Sequence, residues 1–333
     1  MIDNFVKIVL ENGGTITPLL IPPENTNGTG LCNPSIYIDN DPLGSCNDKI
    51  LVNLRHTQYT LFHSELNRFE HQYGPLVYLH PENDLTLTTT NYLCELDPTT
   101  LEIQSYTKVD TSKLDIPPVW EFIGLEDVRL VRWDGKLYMC GVRRDVKPNG
   151  EGRMELSEII DGKEISRFRI EPPIDPNSYC EKNWMPILDM PYHFVKWTNP
   201  TEVVKVYPEE GRSEQIHLGQ YCDMPADLRG GSQVIPFGEG YLTFNHETYL
   251  YNSEQGRKDG TYKHRFTYWD KNWNILKFSD NFSFLDAKVE FACGLAKYKE
   301  NYLITFGFQD NASYILKIPA KFLENFIYGE TVN

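Results

Sequence analysis

Short runs of apolar and β-branched residues alternate with polar ones along most of the chain, and the runs come in pairs bounded by Asp, Asn, Gly or Pro. The clearest pair runs from Gly124-Leu125-Glu126-Asp127-Val128-Arg129-Leu130 through Val131-Arg132-Trp133, and returns as Lys136-Leu137-Tyr138-Met139-Cys140. Asp134-Gly135 links the two, and such a link between β-type runs is a strong local hairpin signal. The head of this hairpin is acidic and its tail, Arg143-Arg144, is basic. Because a hairpin folds back on itself, Asp127 and Arg143 are expected as spatial neighbours.

Four other pairs share the layout. Asn33-Pro34-Ser35-Ile36-Tyr37-Ile38 is followed, after a turn-rich insertion to Asp48, by Lys49-Ile50-Leu51-Val52-Asn53-Leu54-Arg55-His56. Glu181-Lys182-Asn183-Trp184-Met185-Pro186-Ile187-Leu188 precedes Tyr192-His193-Phe194-Val195-Lys196-Trp197. Arg229-Gly230-Gly231-Ser232-Gln233-Val234-Ile235 precedes Tyr241-Leu242-Thr243-Phe244-Asn245-His246-Glu247. Cys293-Gly294-Leu295-Ala296-Lys297-Tyr298 precedes Tyr302-Leu303-Ile304-Thr305-Phe306-Gly307-Phe308-Gln309-Asp310. The intervals between the heads Asn33, Asp127, Asn183, Gly231 and Cys293 are 94, 56, 48 and 62 residues. Repeats of roughly 40–50 residues with four strands each are what β-propeller blades require, so the expected fold is all-β, a five-bladed propeller with insertions. A β-sandwich of unrelated hairpins is the competing architecture. Residues 1–333 read as one domain, with 1–30 a lead-in segment and 316–333 a C-terminal tail. Further strands are expected at Leu76–Leu79 and at 92–95, and helical periodicity is confined to 320–326.

In a propeller the innermost strands line the axis, so their ends converge. The heads Asn33, Asp127, Lys182 and Gly231 and the tails Arg55, Arg143, His246 and Asp310 are therefore expected in one funnel.

Composition narrows the function. With 47 acidic against 32 basic residues, the chain is poorly suited to neutralising a nucleic-acid backbone, although a small basic pocket for one phosphate remains open to it. No run approaches the length of about 18 apolar residues that spans a bilayer, and the first residues do not read as a signal peptide. A cytoplasmic location without membrane contact is the expectation. Seven scattered cysteines, none spaced Cys-x-x-Cys, argue against a disulfide framework or a zinc ribbon, and most read as small buried apolar residues. Histidines 56, 63, 71 and 80 match no metal-ligand spacing. Gly230-Gly231 lacks the Lys-Ser/Thr that a phosphate loop needs, and no nucleophile elbow marks a Ser-His-Asp site. No cofactor is expected. The oligomeric state is left open.

At these residues the sequence resembles a known group. Gly124-Leu125-Glu126-Asp127-Val128-Arg129 is similar to the G-x-E-D-P-R signature of glycoside hydrolase family 130, the β-mannoside phosphorylases, and of the related protozoan β-1,2-mannosyltransferases. Asn33-Pro34 with the later Arg55 resembles that family's first-blade pattern. Lys182 stands where its phosphate-binding lysine falls, His246 resembles the histidine closing its fourth blade, and Phe306-Gly307-Phe308-Gln309-Asp310 its last-blade motif. Val128 replaces the usual proline, Glu181-Lys182-Asn183 departs from the commoner lysine–aspartate motif, and Arg229-Gly230-Gly231 from the usual glycine–proline run. The resemblance spans about residues 30–315 and implies a five-bladed propeller.

It also implies inverting glycosyl transfer on β-mannoside-like sugars, by a phosphorylase or a transferase. Asp127 would be the general acid, its proton passing through a sugar hydroxyl. Such an acid needs a raised pKa, supplied by burial or by Glu126. Arg55, Arg143, Lys182 and His246 form the candidate phosphate site, with Arg144 the alternative to Arg143 because adjacent strand residues face opposite ways. Asn33, Glu126, Asn183, Gly231, Tyr249 and Asp310 complete the candidate substrate contacts. Tyr92, Trp120 and Trp184 join Tyr249 as rings able to stack on sugars. The expected partners are a sugar or oligosaccharide together with inorganic phosphate, a sugar phosphate or a nucleotide sugar. A hydrolase, with Glu247, Glu290 or Asp310 as base, and a non-catalytic carbohydrate-binding propeller are the other readings.

Overall fold

The computed structural model describes residues 1–39, 48–64, 72, 74–224, 227–254 and 256–329. Its sheets form a five-bladed β-propeller. Blade 1 uses strands Leu31–Asp39, Lys49–Thr57, Leu87–Leu96 and Ile103–Lys108, and blade 2 uses Leu125–Trp133, Lys136–Arg143, Arg153–Ile160 and Lys163–Ile170. Blade 3 has a two-residue inner strand, Met185–Pro186, then His193–Trp197, Glu202–Tyr207 and Arg212–Leu218. In blade 4 the inner position is shared by Leu228–Gly230 and Ile235–Phe237, followed by the long strands Gly240–Asn252 and Lys258–Asp270, then Ile275–Phe278. Blade 5 comprises Glu290–Tyr298, Asn301–Phe308 and Ala312–Pro319, with Thr15–Pro18 as its outer strand.

That last pairing corrects the reading of 1–30 as a lead-in. Thr15–Pro18 pairs antiparallel with Ala312–Pro319, so the start of the chain completes the blade built by its end. Such an interlock covers the Ala312–Pro319 edge and leaves only a four-residue strand at the rim. A helix, Phe5–Glu11, also lies in that segment. It is too short for its period to stand out in the sequence, and it buries Phe5, Val6 and Val9. The tail helix extends over Ala320–Tyr328 and ends at Gly329 in the left-handed conformation. The turn-rich insertion before Asp48, with Cys46, falls largely outside the described residues, as does His71. Cys32, Cys94, Cys140 and Cys293 are buried, and Cys180 and Cys222 are half-buried.

Alternation explains where the core sits. Inner faces of each blade carry Val, Ile, Leu and Phe, and five apolar clusters fill the five seams between neighbouring blades. The cluster between blades 4 and 5 also takes in both helices through Phe5, Phe322 and Ile327. Near the axis, one buried side chain joins four blades. Gln233 Nε2 donates to Ile36 O (2.5 Å) and Leu130 O (2.9 Å), and its Oε1 accepts from Leu295 N (3.2 Å).

Bulges then aim the inner strands at the axis. Register slips between Cys32 and Ser35 in blade 1, and in blade 2 where Val142 faces Glu126 and Cys140 faces Arg129. Asn33 (φ 46°) and Asp127 (φ 49°) lie in these bulges in the left-handed region, as does Asn183 (φ 62°) at the entry to blade 3. Asn and Asp are the non-glycine residues that tolerate this conformation best, and bulges commonly re-aim side chains at functional sites.

Candidate active site

The strand ends do gather in a funnel, a cavity of about 250 Å³ at one end of the axis. Asn33, Asp127, Lys182, Asn183 and Arg229 reach it from inner strands or their entries. Arg55, Arg144, His246 and Asp310 reach it from second strands or the residues just after them, and Glu126 beside Asp127 completes the polar lining.

One side, built by blades 1, 2 and 5, is rich in acceptors. Asp127 Oδ1 accepts from Asn33 Nδ2 and from Arg55 Nη1, both at 2.7 Å. Arg55 Nη2 donates to Glu126 Oε2 (3.1 Å), and Nε to Thr89 Oγ1 (3.0 Å). Among the described residues, Asp127 Oδ2 receives no hydrogen bond, and Glu126 Oε1 and Asn33 Oδ1 are buried without a partner. Buried acceptors left in this state are suited to donor groups of a ligand, such as hydroxyls.

The other side, from blades 3 and 4 with Arg144 of blade 2, is cationic. Lys182 is exposed. Arg144 lies over the Phe122 ring at 4.8 Å and donates to Gly150 O and Tyr179 Oη, so its guanidinium is held in place. Arg229 pairs with Asp227 at 2.9 Å. His246 stacks on Tyr262 and meets Phe291 edge-on. Burial, then the nearby His264 and Arg129, holds its imidazole well below the ordinary value, so at neutral pH it offers a hydrogen bond rather than a charge.

The three carboxyls titrate differently. Burial pushes Asp127 up, but Arg55, then Arg129, the Asn33 hydrogen bond and Lys182, hold it below its ordinary value. This corrects the expectation of a raised Asp127: Arg55, Arg129, the Asn33 hydrogen bond and Lys182 together outweigh the upward push of burial. Burial raises Glu126, opposed by Arg55 and reinforced by Asp127. Asp310 is pushed up to about 6 by burial, against Arg55 and with the charges of Asp127 and Glu126. Asp127 is thus held as the carboxylate, and the two carboxyls whose pKa is raised, Glu126 and Asp310, lie beside it.

Arg129 is not the partner of the Asp127 carboxyl. It donates to Asp127 O (2.6 Å), Gly231 O (2.8 Å), Gly230 O and Asn183 Oδ1 (both 3.3 Å), tying the heads of blades 2, 3 and 4 together.

Three other expected site residues lie elsewhere. Arg143 is buried against Glu155 (2.7 Å) and Asp145 (3.4 Å) and lines a separate cavity between blades 1 and 2. Strand alternation sends Arg144 to the funnel instead. Gly231 contributes its backbone carbonyl to Arg129 and leaves no room for a side chain, since a Cβ there would lie 2.3 Å from Phe244 O. Tyr249 is half exposed on the long blade-4 hairpin and donates to Glu247 (2.6 Å). Of the other candidate rings, Tyr92 and Trp184 are core, and Trp120 packs over Gly150.

The residues that sequence reasoning missed are Arg229 and the rings Tyr59, Tyr78, Phe122, Tyr262 and Phe291. Arg229 faces His246 across the ladder, so an antiparallel partner search from His246 would have found it. Tyr59 precedes and Tyr78 sits in a hairpin, Thr60–His63 with Leu76–Leu79, which forms part of the cavity wall. The hairpin is anchored by Asn311, whose side chain bonds both Leu61 N and Leu61 O, and by His63 Nε2 to Asp259 Oδ1 at 3.0 Å.

No protein-family model matches the sequence, and no curated protein does either. Solved structures do. The β-1,2-mannobiose phosphorylase of Listeria innocua superposes with a TM-score of 0.57 at 14% identity, covering 95% of this chain and 97% of its own. A mannose phosphorylase from Leishmania mexicana, solved with phosphate ion, gives 0.51 at 13% identity, with 96% and 93% covered. A GDP-Man-dependent mannosyltransferase from the same organism gives 0.50 at 12% identity, with 92% and 90% covered. The propeller is common to all four. The group resembled by the sequence motifs is thus also met among the structural neighbours, and at these identities the likeness is one of fold.

Proposed function

We propose that the funnel performs inverting glycosyl transfer on a mannose-based glycoside, with phosphate or a phosphate-bearing donor as the other reactant. The observation that carries this reading is the two-sided lining. The Asp127 carboxyl, fixed through Oδ1 by Asn33 and Arg55 and open at Oδ2, faces a cavity also lined by Lys182, Arg144 and Arg229. Inversion asks for this arrangement, a proton donor on one face of the sugar and the nucleophile or leaving phosphate on the other. The shared fold with mannose-processing enzymes supports the choice of sugar.

In the phosphorolytic direction a phosphate oxygen attacks the anomeric carbon as the glycosidic C–O bond breaks, and the departing oxygen takes a proton that originates on Asp127. The lowered pKa of Asp127 fits a coupled device. An anion at Lys182 cancels one of the positive charges that hold the carboxyl down, so its pKa rises when the co-substrate arrives. Glu126 and Asp310 hold sugar hydroxyls, and His246 serves as a neutral hydrogen-bonding group.

Hydrolysis would need a carboxylate base. Glu247 is paired with Arg265 at 2.6 Å, and Glu290 accepts three backbone N–H groups from Phe284, Leu285 and Ala287. Both have structural tasks, which leaves Asp310 alone in the funnel for that role.

Incubation with β-1,2-mannobiose and phosphate tests the reading: mannose 1-phosphate is expected. Product formed only from a nucleotide sugar would select the transferase form, and hydrolysis independent of phosphate would overturn both.

A further inference from the structure

A second cavity, of about 350 Å³, lies between blades 3 and 4 and shares a wall with the funnel, since Lys182, Asn183 and Arg229 line both. Its distinguishing feature is Trp197, a large ring left 39% exposed at the end of a blade-3 strand. This ring is fixed in place. Trp197 Nε1 donates to Asn199 O (3.1 Å), and the Asn199 side chain is held by both Cys222 O (2.6 Å) and Cys222 N (2.8 Å). A ring whose orientation is already set loses little freedom when a ligand packs on it. Its surroundings are charged but balanced: Lys196 lies between Glu181 (3.7 Å) and Glu202 (3.3 Å), and Arg229 against Asp227.

We infer that this cavity is a second carbohydrate-binding site, with Trp197 as stacking platform, for a saccharide unit remote from the reacting bond. The inference rests on the reading of the funnel as a sugar-transfer site. The apolar face of a sugar ring matches an indole, while its hydroxyls match a rim of alternating carboxylates and cations. Lys196 and Arg229 are each neutralised by a carboxylate against them, so the lining is a mixed polar rim that suits a neutral polyhydroxylated ligand.

Calorimetric titration of the full chain in phosphate-free buffer, with β-1,2-linked mannobiose, mannotriose and mannotetraose, tests this. The wild type is expected to bind the longer ligands more tightly, by about fivefold or more. Trp197→Ala should lose that gain with chain length, and Trp197→Phe should keep part of it, with circular dichroism verifying that each variant is folded. A gain retained in full by Trp197→Ala, or no gain in the wild type, overturns the second site and leaves the funnel reading intact. If the wild type binds no manno-oligosaccharide of any length, both fall. Binding of guanosine diphosphate that depends on Trp197, with oligosaccharide binding unaltered by Trp197→Ala, would assign the cavity to a nucleotide and overturn the inference.

Discussion

Arg55 Nη1 lies 2.7 Å from Asp127 Oδ1, an ion pair formed across two blades. The same guanidinium reaches Glu126 Oε2 at 3.1 Å, so one buried cation serves two adjacent carboxylates. Lysine carries the charge but lacks the planar fork. Arg55→Lys is therefore expected to destabilise the protein by about 2 kcal/mol at pH 7, below the roughly 3–5 kcal/mol of losing a buried partner outright. The sign with pH follows from Asp127, whose folded value lies below the ordinary 3.8. Its contribution is present above that value and is lost as pH falls through the depressed one. The gap between wild type and variant should thus narrow below about pH 4, as read by denaturant unfolding. A gap that widens there would sink this account.

Asp127→Asn keeps the shape, tolerates φ 49° and still accepts from Asn33 and Arg55, but it carries no transferable proton. Turnover of β-1,2-mannobiose with phosphate should fall by roughly 10²- to 10⁴-fold in a variant that is still folded by circular dichroism, although its thermal midpoint drops with the loss of the Arg55 ion pair. Activity within tenfold of wild type would remove Asp127 from the role.

Arg143 and Arg144 separate structure from binding. Arg144→Ala should weaken phosphate binding by about tenfold or more, because its guanidinium lines the funnel. Arg143→Met should leave phosphate affinity alone and cost roughly 3 kcal/mol of stability, since buried Glu155 and Asp145 both lose Arg143 and Glu155 keeps only the longer Arg169 contact at 3.4 Å. Titration with phosphate and urea unfolding of both variants decide it; the reverse pattern would restore Arg143 to the site.

How far the sequence foretold this site depends on the scale of the interaction. The hairpins, their heads Asn33 and Asp127 and the gathering of blade ends were legible because period-two alternation and turn chemistry are local, whereas the bulges that aim those heads were not. Which of two adjacent arginines faced the funnel was not, since one residue of register decides it. The depressed pKa of Asp127 was not either: it depends on Arg55, 72 residues away in sequence. The outer strand Thr15–Pro18 was missed for a related reason, since its partner lies at the opposite end of the chain.

Asp310 supplies a second signed pH effect. Its folded value, about 6 against an ordinary 3.8, means the folded state holds a proton that the unfolded chain has released. Stability from this group is complete below about 3.8 and is lost as pH rises through about 6. Asp310→Asn removes the titration, so the wild type should lose more stability than the variant between pH 4 and 7. Matched slopes of unfolding free energy against pH would contradict the assignment.

Gln233 carries the last prediction, which concerns the fold that positions the funnel. Its side chain satisfies Ile36 O, Leu130 O and Leu295 N, from blades 1, 2 and 5, while its own backbone belongs to blade 4. Gln233→Leu fits a similar volume yet leaves three buried backbone groups unpaired near the axis. Each such group costs about 1–3 kcal/mol, so a loss of roughly 3 kcal/mol or more is expected in urea unfolding. Gln233→Glu keeps the acceptor for Leu295 but faces two carbonyl oxygens with a carboxylate, and should be at least as damaging at neutral pH. It should recover in part in acid, where a protonated carboxyl can donate to one of them. If Gln233→Leu proves neutral, the blades are held by their apolar seams alone and the polar bridge at the axis has no part in stability.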